Sequence, residues 1–266
     1  MPATNIRSFR DILVYLSAGN NVPARLGAAI ALARQHGARL IGVEVNAPSA
    51  FDTDRAPAAT DLSETFLREV GEADLDYVFH VASRDDAAGR KALYAHYADV
   101  VIAPSASEAN AGFVLRGVPE AVMMTAGVPV LVIPDLWRPQ PLGQRVVVSW
   151  NASSGATRAV HDALPILSRA GSVTVFAFGP RHDVLKEETA LLLVHLAAHG
   201  IAARAYTWPD SGDINAMDAL FSCLSEESAD LIVAGGYGHS RLMERLLGGM
   251  SRTLMRTLTV PVMMSH

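Results

Sequence analysis

Several features that define other protein classes are scarce in this chain of 266 residues. It has a single cysteine, Cys223, so no internal disulfide can form, and a reducing compartment is expected. The chain has 22 lysine and arginine residues against 27 acidic residues, a net charge of -5. A dedicated nucleic-acid-binding protein would be expected to carry an excess of basic residues. No apolar run approaches the ~20 residues that span a bilayer. We therefore expect a cytoplasmic protein with no membrane and no nucleic-acid partner.

Motifs of the common catalytic classes are also missing. The sequence contains neither the Gly-Lys-Ser/Thr ending of a Walker A loop nor the dinucleotide pattern G-x-G-x-x-G. No G-x-S-x-G elbow is found, so no catalytic residue is named. His195 and His199 have the i, i+4 spacing of a metal pair, but no third ligand is evident nearby. A structural or surface role is favoured for them, and no metal site is predicted.

The chain does contain a long internal repeat. The run ADVVIAPS at Ala98–Ser105 returns as ADLIVAGG at Ala229–Gly236, 131 residues later. GVPVLVIP at Gly127–Pro134 is answered by TVPVMMSH at Thr259–His266, 132 residues later. The period far exceeds that of a solenoid, which predicts two tandem domains, 8–135 and 144–266, joined by a Pro-rich linker.

Each half alternates short apolar runs with segments of helical periodicity. The runs are continuously apolar, as is typical of parallel strands covered on both faces. The fold class predicted is α/β, with two doubly wound, Rossmann-like parallel-sheet domains. In the first half, Ser49–Glu64 is interpreted as an irregular loop.

Five glycines lie between Gly235 and Gly249, directly after the run LIVA. Glycines at the end of a strand let backbone N–H groups approach a phosphate closely, but they also suit tight turns and helix packing. The spacing alone leaves both interpretations open.

The pattern G-x2-G-x9-G at Gly235, Gly238 and Gly248, followed by a helical segment and TVPVMM, resembles the universal stress protein family. The resemblance covers nearly the whole chain twice and implies an adenine nucleotide α-hydrolase-like fold, with the two halves paired through their last strands as a pseudo-dimer. It also allows a homodimer. The expected activity is stress sensing with ATP, and Mg²⁺, as cofactor and at most slow hydrolysis. The binding residues implied are Asn151, Ala234, Gly235, Gly238, His239, Gly248, Gly249, Met250 and Ser251.

Two positions depart from that family pattern. In the family, the Ser or Thr after the last motif glycine contacts a phosphate and an aspartate contacts adenine; here Gly249 and Asn151 stand at these positions. Ser251, two residues after Gly249, is the candidate to supply the missing hydroxyl. The first half departs further, with Ser17, Pro104, Ser107 and Arg116 at the corresponding positions, and is expected to have lost the cradle. The alternative is a stress protein that binds no nucleotide and acts through protein partners.

Overall fold

The repeated apolar runs form parallel strands in the computed structural model of the chain. The structure describes residues 8–16, 21–46, 61–83, 94–105, 122–123, 126–134, 136–209, 212, 214–236 and 259–266. The main division between two compact units falls at Gln140. The finer domain bounds 8–135 and 144–266 stay a prediction.

The first unit contains five described strands and two described helices. In chain order these are β1 (Asp11–Leu16), α1 (Val22–His36), β2 (Arg39–Asn46), α2 (Asp61–Glu72), β3 (Tyr77–Ser83), β4 (Val100–Pro104) and β5 (Val130–Ile133). The strand order is β3-β2-β1-β4-β5, and every pairing in it is parallel.

The second unit repeats this arrangement. Its elements are β6 (Arg145–Ser149), α3 (Ser154–Leu167), β7 (Ser172–Gly179), α4 (His182–Ala198), β8 (Ala203–Pro209), α5 (Ala216–Glu226), β9 (Leu231–Gly235) and β10 (Val262–Ser265). The order β8-β7-β6-β9-β10 is again parallel throughout. The prediction of doubly wound parallel sheets is confirmed.

The repeated Ala-Asp pair has a structural explanation. Asp99 Oδ2, just before β4, accepts hydrogen bonds from the backbone N–H groups of Arg10 at 2.6 Å and Asp11 at 3.0 Å. Asp230, just before β9, accepts in the same way from Arg145 N at 2.9 Å. In each unit a carboxylate therefore joins the amino ends of two neighbouring strands.

The loop predicted over Ser49–Glu64 is wrong at its end, because α2 begins at Asp61. Phe66 and Val70 lie one helical turn apart and are fully buried, so their packing stabilises a helix that starts earlier than expected. Residues 49–60 lie outside the described part of the chain.

Membrane-spanning helices are absent from the described residues, since none of the helices there is both long and apolar enough.

Candidate functional site

The direction of strand addition reverses between β6 and β9. From β6 the chain adds β7 and β8 on one side, then returns through α5 to place β9 on the other side of β6. In doubly wound sheets, ligands bind beyond the carboxyl ends of the strands at such a reversal. Three of the predicted residues lie there. Asn151 comes two residues after β6, while Ala234 pairs with Ser149 and precedes the last residue of β9, Gly235.

Asn151 is exposed and organises the turn into α3. Its Oδ1 accepts hydrogen bonds from the Ser153 backbone N–H at 3.2 Å and from Ser153 Oγ at 2.7 Å. Ser153 Oγ in turn accepts from Ala156 N at 3.2 Å and caps the helix. The Asn151 amide oxygen is therefore already engaged, and its amide nitrogen Nδ2 is the group best able to donate to a ligand.

Gly235 lies against the first turn of α3. A Cβ atom placed on Gly235 would be 2.5 Å from Ala156 N, and one placed on Gly155 would be 2.9 Å from Gly236 O. Both neighbours are backbone atoms that cannot rotate away. Close strand–helix packing thus requires glycine at 235 whether or not a phosphate binds there.

The adjacent end of β10 completes the described edge. Gly236 N donates to Ser265 O at 2.6 Å, and His266 Nδ1 lies 3.3 Å from Gly236 O. The Ser265 hydroxyl is buried and has no hydrogen-bond partner within the part of the chain that the structure describes. This edge therefore carries two polar side chains, Ser265 and His266, that were not predicted as site residues from the sequence.

The remaining predicted residues are Gly238, His239, Gly248, Gly249, Met250 and Ser251, and they lie outside the described residues. Ser17, Ser107 and Arg116 of the first half do so as well, whereas Pro104 is the buried last residue of β4. The phosphate cradle accordingly stays a prediction.

Sequence reasoning missed Ser153 and Gly155. A signal for Ser153 was available in NASSGA (151–156), where a serine precedes an apolar helical pattern, as N-caps do. The close approach of Gly155 to Gly236 had no such signal, because it joins segments about 80 residues apart in the chain.

A separate cavity of about 360 Å³ opens between α3 and α4. His161 and His195 line it together with Glu188, Trp150 and several apolar side chains. The Nε2 atoms of His161 and His195 are 3.2 Å apart, and the ring of His199 lies 4.8 Å from that of His195, centroid to centroid. Burial, and then the nearby His199 and His161, lower the pKa of His195. Within the described residues no group of three or more His, Cys, Asp or Glu side chains is arranged to hold a metal ion.

Cys223 is fully buried on α5. Burial, followed by the nearby Glu226 carboxylate, raises the pKa of its thiol to about 12. The thiolate needed for nucleophilic chemistry is therefore strongly disfavoured.

Two known proteins similar in sequence to this chain are universal stress proteins. No family model matches the sequence. Universal stress proteins from two strains of Mycobacterium tuberculosis, CDC 1551 and H37Rv, are each 30% identical over 141 residues, covering 46% of this chain and 94% of the relative.

Solved structures support the fold across the whole chain. A universal stress protein from Archaeoglobus fulgidus covers 97% of this chain and 96% of its own, with a TM-score of 0.68 at 18% identity. A protein of unknown function from Pseudomonas aeruginosa PAO1 covers 98% of this chain and 93% of its own, with a TM-score of 0.63 at 14% identity. On the sequence match, confirmed in fold by these structures, the chain belongs to the universal stress protein family.

Proposed function

We propose that the chain has a stress-response role and binds an adenine nucleotide at the carboxyl ends of β6 and β9. The observation that carries this proposal is the convergence of an exposed asparagine, a helix N-terminus and a glycine strand end at the point where the strand order reverses. Asn151, the first turn of α3 and Gly235–Gly236 form that group. Binding, with little or no catalysis, is the activity proposed.

Each part of the group suits one part of a nucleotide. The Asn151 Nδ2 can donate to a ring nitrogen of adenine. The α3 helix of 14 residues presents backbone N–H groups and the positive end of its dipole. The chain after Gly236 would bring the backbone amides of Gly238, Gly248 and Gly249 to the phosphates, with Ser251 supplying a hydroxyl. ATP with Mg²⁺ is the proposed form of the ligand.

A second function is favoured by a different observation. The Asn151 oxygen and the Ala156 N–H are already used by Ser153, and packing accounts for Gly235 without a ligand. A stress protein that binds no nucleotide and acts through protein partners would need nothing more at this edge.

Calorimetric titration with ATP, ADP and AMP, with and without Mg²⁺, separates the two functions. The chain is first freed of any bound nucleotide. We expect binding that weakens about five- to tenfold in Asn151→Ala, the loss of one hydrogen bond. Gly238→Val tests the part of the predicted cradle outside the described residues and should abolish binding. Asn21→Ala, in the first unit, is the matched control and should leave the affinity unchanged.

The absence of nucleotide binding would support the second function. If none of the three nucleotides gives a binding heat or a thermal shift, packing alone explains the glycine at 235. That result would support the protein-partner function. Binding weakened equally by Asn21→Ala and Asn151→Ala would place the nucleotide elsewhere.

A further inference from the structure

The histidine pair in the cavity between α3 and α4 lies outside the proposed nucleotide site. His161 is two helical turns into α3, and His195 is in the last turn of α4, 34 residues along the chain. Two helices thus each contribute one imidazole, and the two Nε2 atoms meet at 3.2 Å. The cavity beside them, about 360 Å³, is large enough for an ion and several water molecules.

The separation of the nitrogens is the informative quantity. Imidazole nitrogens bind Zn²⁺ at about 2.0–2.1 Å, so two of them on one tetrahedral ion lie about 3.3–3.4 Å apart. The observed 3.2 Å is within about 0.2 Å of that value. A hydrogen bond between neutral rings has a similar length, and this is the alternative that an experiment must exclude.

The chemical surroundings also favour a cation. Glu188 is an acidic side chain among the residues that line the same cavity. His161 is exposed and His195 is half-buried, so an ion can reach both rings from solvent.

We propose that His161 and His195 form a two-histidine site for a borderline divalent cation, with Zn²⁺ as the expected ion and water in the remaining coordination positions. By sequence spacing alone, His195 pairs with His199 on one helix and lacks a third ligand, so no metal site is predicted. The structure instead pairs His195 with a residue of the neighbouring helix. The bound ion would link α3 to α4, and its open positions would face the cavity.

The test uses the full chain, stripped with a chelator and titrated with Zn²⁺ by calorimetry. Wild type is expected to bind and to unfold at a higher temperature with Zn²⁺, because an ion bound only by the folded state stabilises it. His161→Ala and His195→Ala should each lose both effects, and the double variant should behave like either single variant. Co²⁺ in place of Zn²⁺ should give a visible absorption band of nitrogen–oxygen ligation that disappears in the same variants.

His96→Ala is the matched control, since His96 is exposed in the other unit and should leave zinc binding intact. The proposal is overturned if wild type gives no zinc heat, or if both cavity variants bind zinc as wild type does. The 3.2 Å contact would then be a hydrogen bond between neutral rings.

Discussion

The starts of α1 and α3 follow the first strand of their units, and they use their polar groups differently. At α3, Ser153 caps the helix and Asn151 is exposed at the surface. At α1, the N-cap residue Asn21 is buried, makes no cap hydrogen bond, and donates its side-chain N–H to the carbonyl of Pro134. Pro23 removes a further backbone donor from the first turn of α1. The two units thus share a topology, but Asn21 ties the start of α1 into its own unit, whereas the start of α3 leaves Asn151 exposed.

The strands whose ends lie beside these helices also end differently in the two units. β9 ends at Gly235 against the backbone of α3, whereas β4 ends at the buried Pro104. Proline lacks the N–H that a phosphate would need. Within the described residues, the glycine strand end that the proposed binding edge uses is found in the second unit.

Among the variants that test this comparison, Gly235→Ala should change stability most. A Cβ atom 2.5 Å from Ala156 N must displace the α3 backbone. We expect the free energy of unfolding to fall by roughly 2–3 kcal/mol, in the range of an overpacked core. The midpoint of urea unfolding measures it.

Gly71→Ala on α2 is the control for that variant, since its added Cβ would meet nothing within 4 Å. It should stabilise the chain by about 0.5–1 kcal/mol. A Gly235→Ala variant as stable as wild type would show that the close contact between β9 and α3 is not required.

The two asparagines should separate stability from binding. Asn21→Ala leaves the buried carbonyl of Pro134 without its donor and should cost about 1–3 kcal/mol of unfolding free energy. Asn151→Ala removes an exposed side chain whose hydrogen bonds to Ser153 lie at the surface, and should cost less, about 0.5–1 kcal/mol. The measurement is urea unfolding of both variants, and equal losses would contradict the proposed difference between the two helix starts.

Ser153→Ala tests whether the cap organises the open edge. Losing the acceptor for Ala156 N should cost about 1 kcal/mol, the usual value for an N-cap. Asn215→Ala removes the cap of α5, where Oδ1 accepts from Met217 N and Asp218 N, and should cost a similar amount. Thermal unfolding of both variants makes the comparison. We expect nucleotide affinity to change in Ser153→Ala and not in Asn215→Ala. A change in Asn215→Ala alone would show that the start of α3 is not part of the binding edge.

The smallest effect concerns pH. Burial raises the pKa of Asp230 above its ordinary 3.8, despite opposing hydrogen bonds from nearby backbone N–H groups. In the window from 3.8 up to the raised value, the folded state binds more protons than the unfolded state. The contribution of Asp230 to stability is therefore fully present below that window and is lost as pH rises through it. Asp230→Asn should reduce the change in unfolding free energy between acid and neutral pH. The measurement is that change in wild type and in the variant, and equal values in the two proteins would contradict the prediction.

Much of the fold could be predicted because local and long-range signals agree. Continuous apolar runs predict buried parallel strands, and the repeat places the same elements in both halves. Asn151 follows the end of β6 and Gly235 ends the neighbouring strand β9, so strand ends read from the sequence suffice to place both at one edge, while their role in binding stays a prediction. By contrast, the start of α2 at Asp61 depends on the burial of Phe66 and Val70, which flanking polar residues concealed.

Contacts between distant segments were beyond the sequence. The packing of Gly235 on Ala156 depends on how closely β9 and α3 approach each other, a distance that no local pattern encodes. The meeting of His161 and His195 requires the rotation of two helices about their axes to be known. Periodicity predicted both helices but not which side chains would face each other.

The aspartates that join strand starts have a consequence for the rates of folding and unfolding. Asp99 meets partners 88 and 89 residues away, and Asp230 meets one 85 residues away, so each bond forms only after the intervening strands have been placed. Because the entropy of closing so long a loop must be lost before such a contact can stabilise the chain, we expect these bonds to form late in folding. Their loss should then accelerate unfolding and leave the folding rate almost unchanged. The two carboxylates would thus determine how long the folded protein persists rather than how fast it forms.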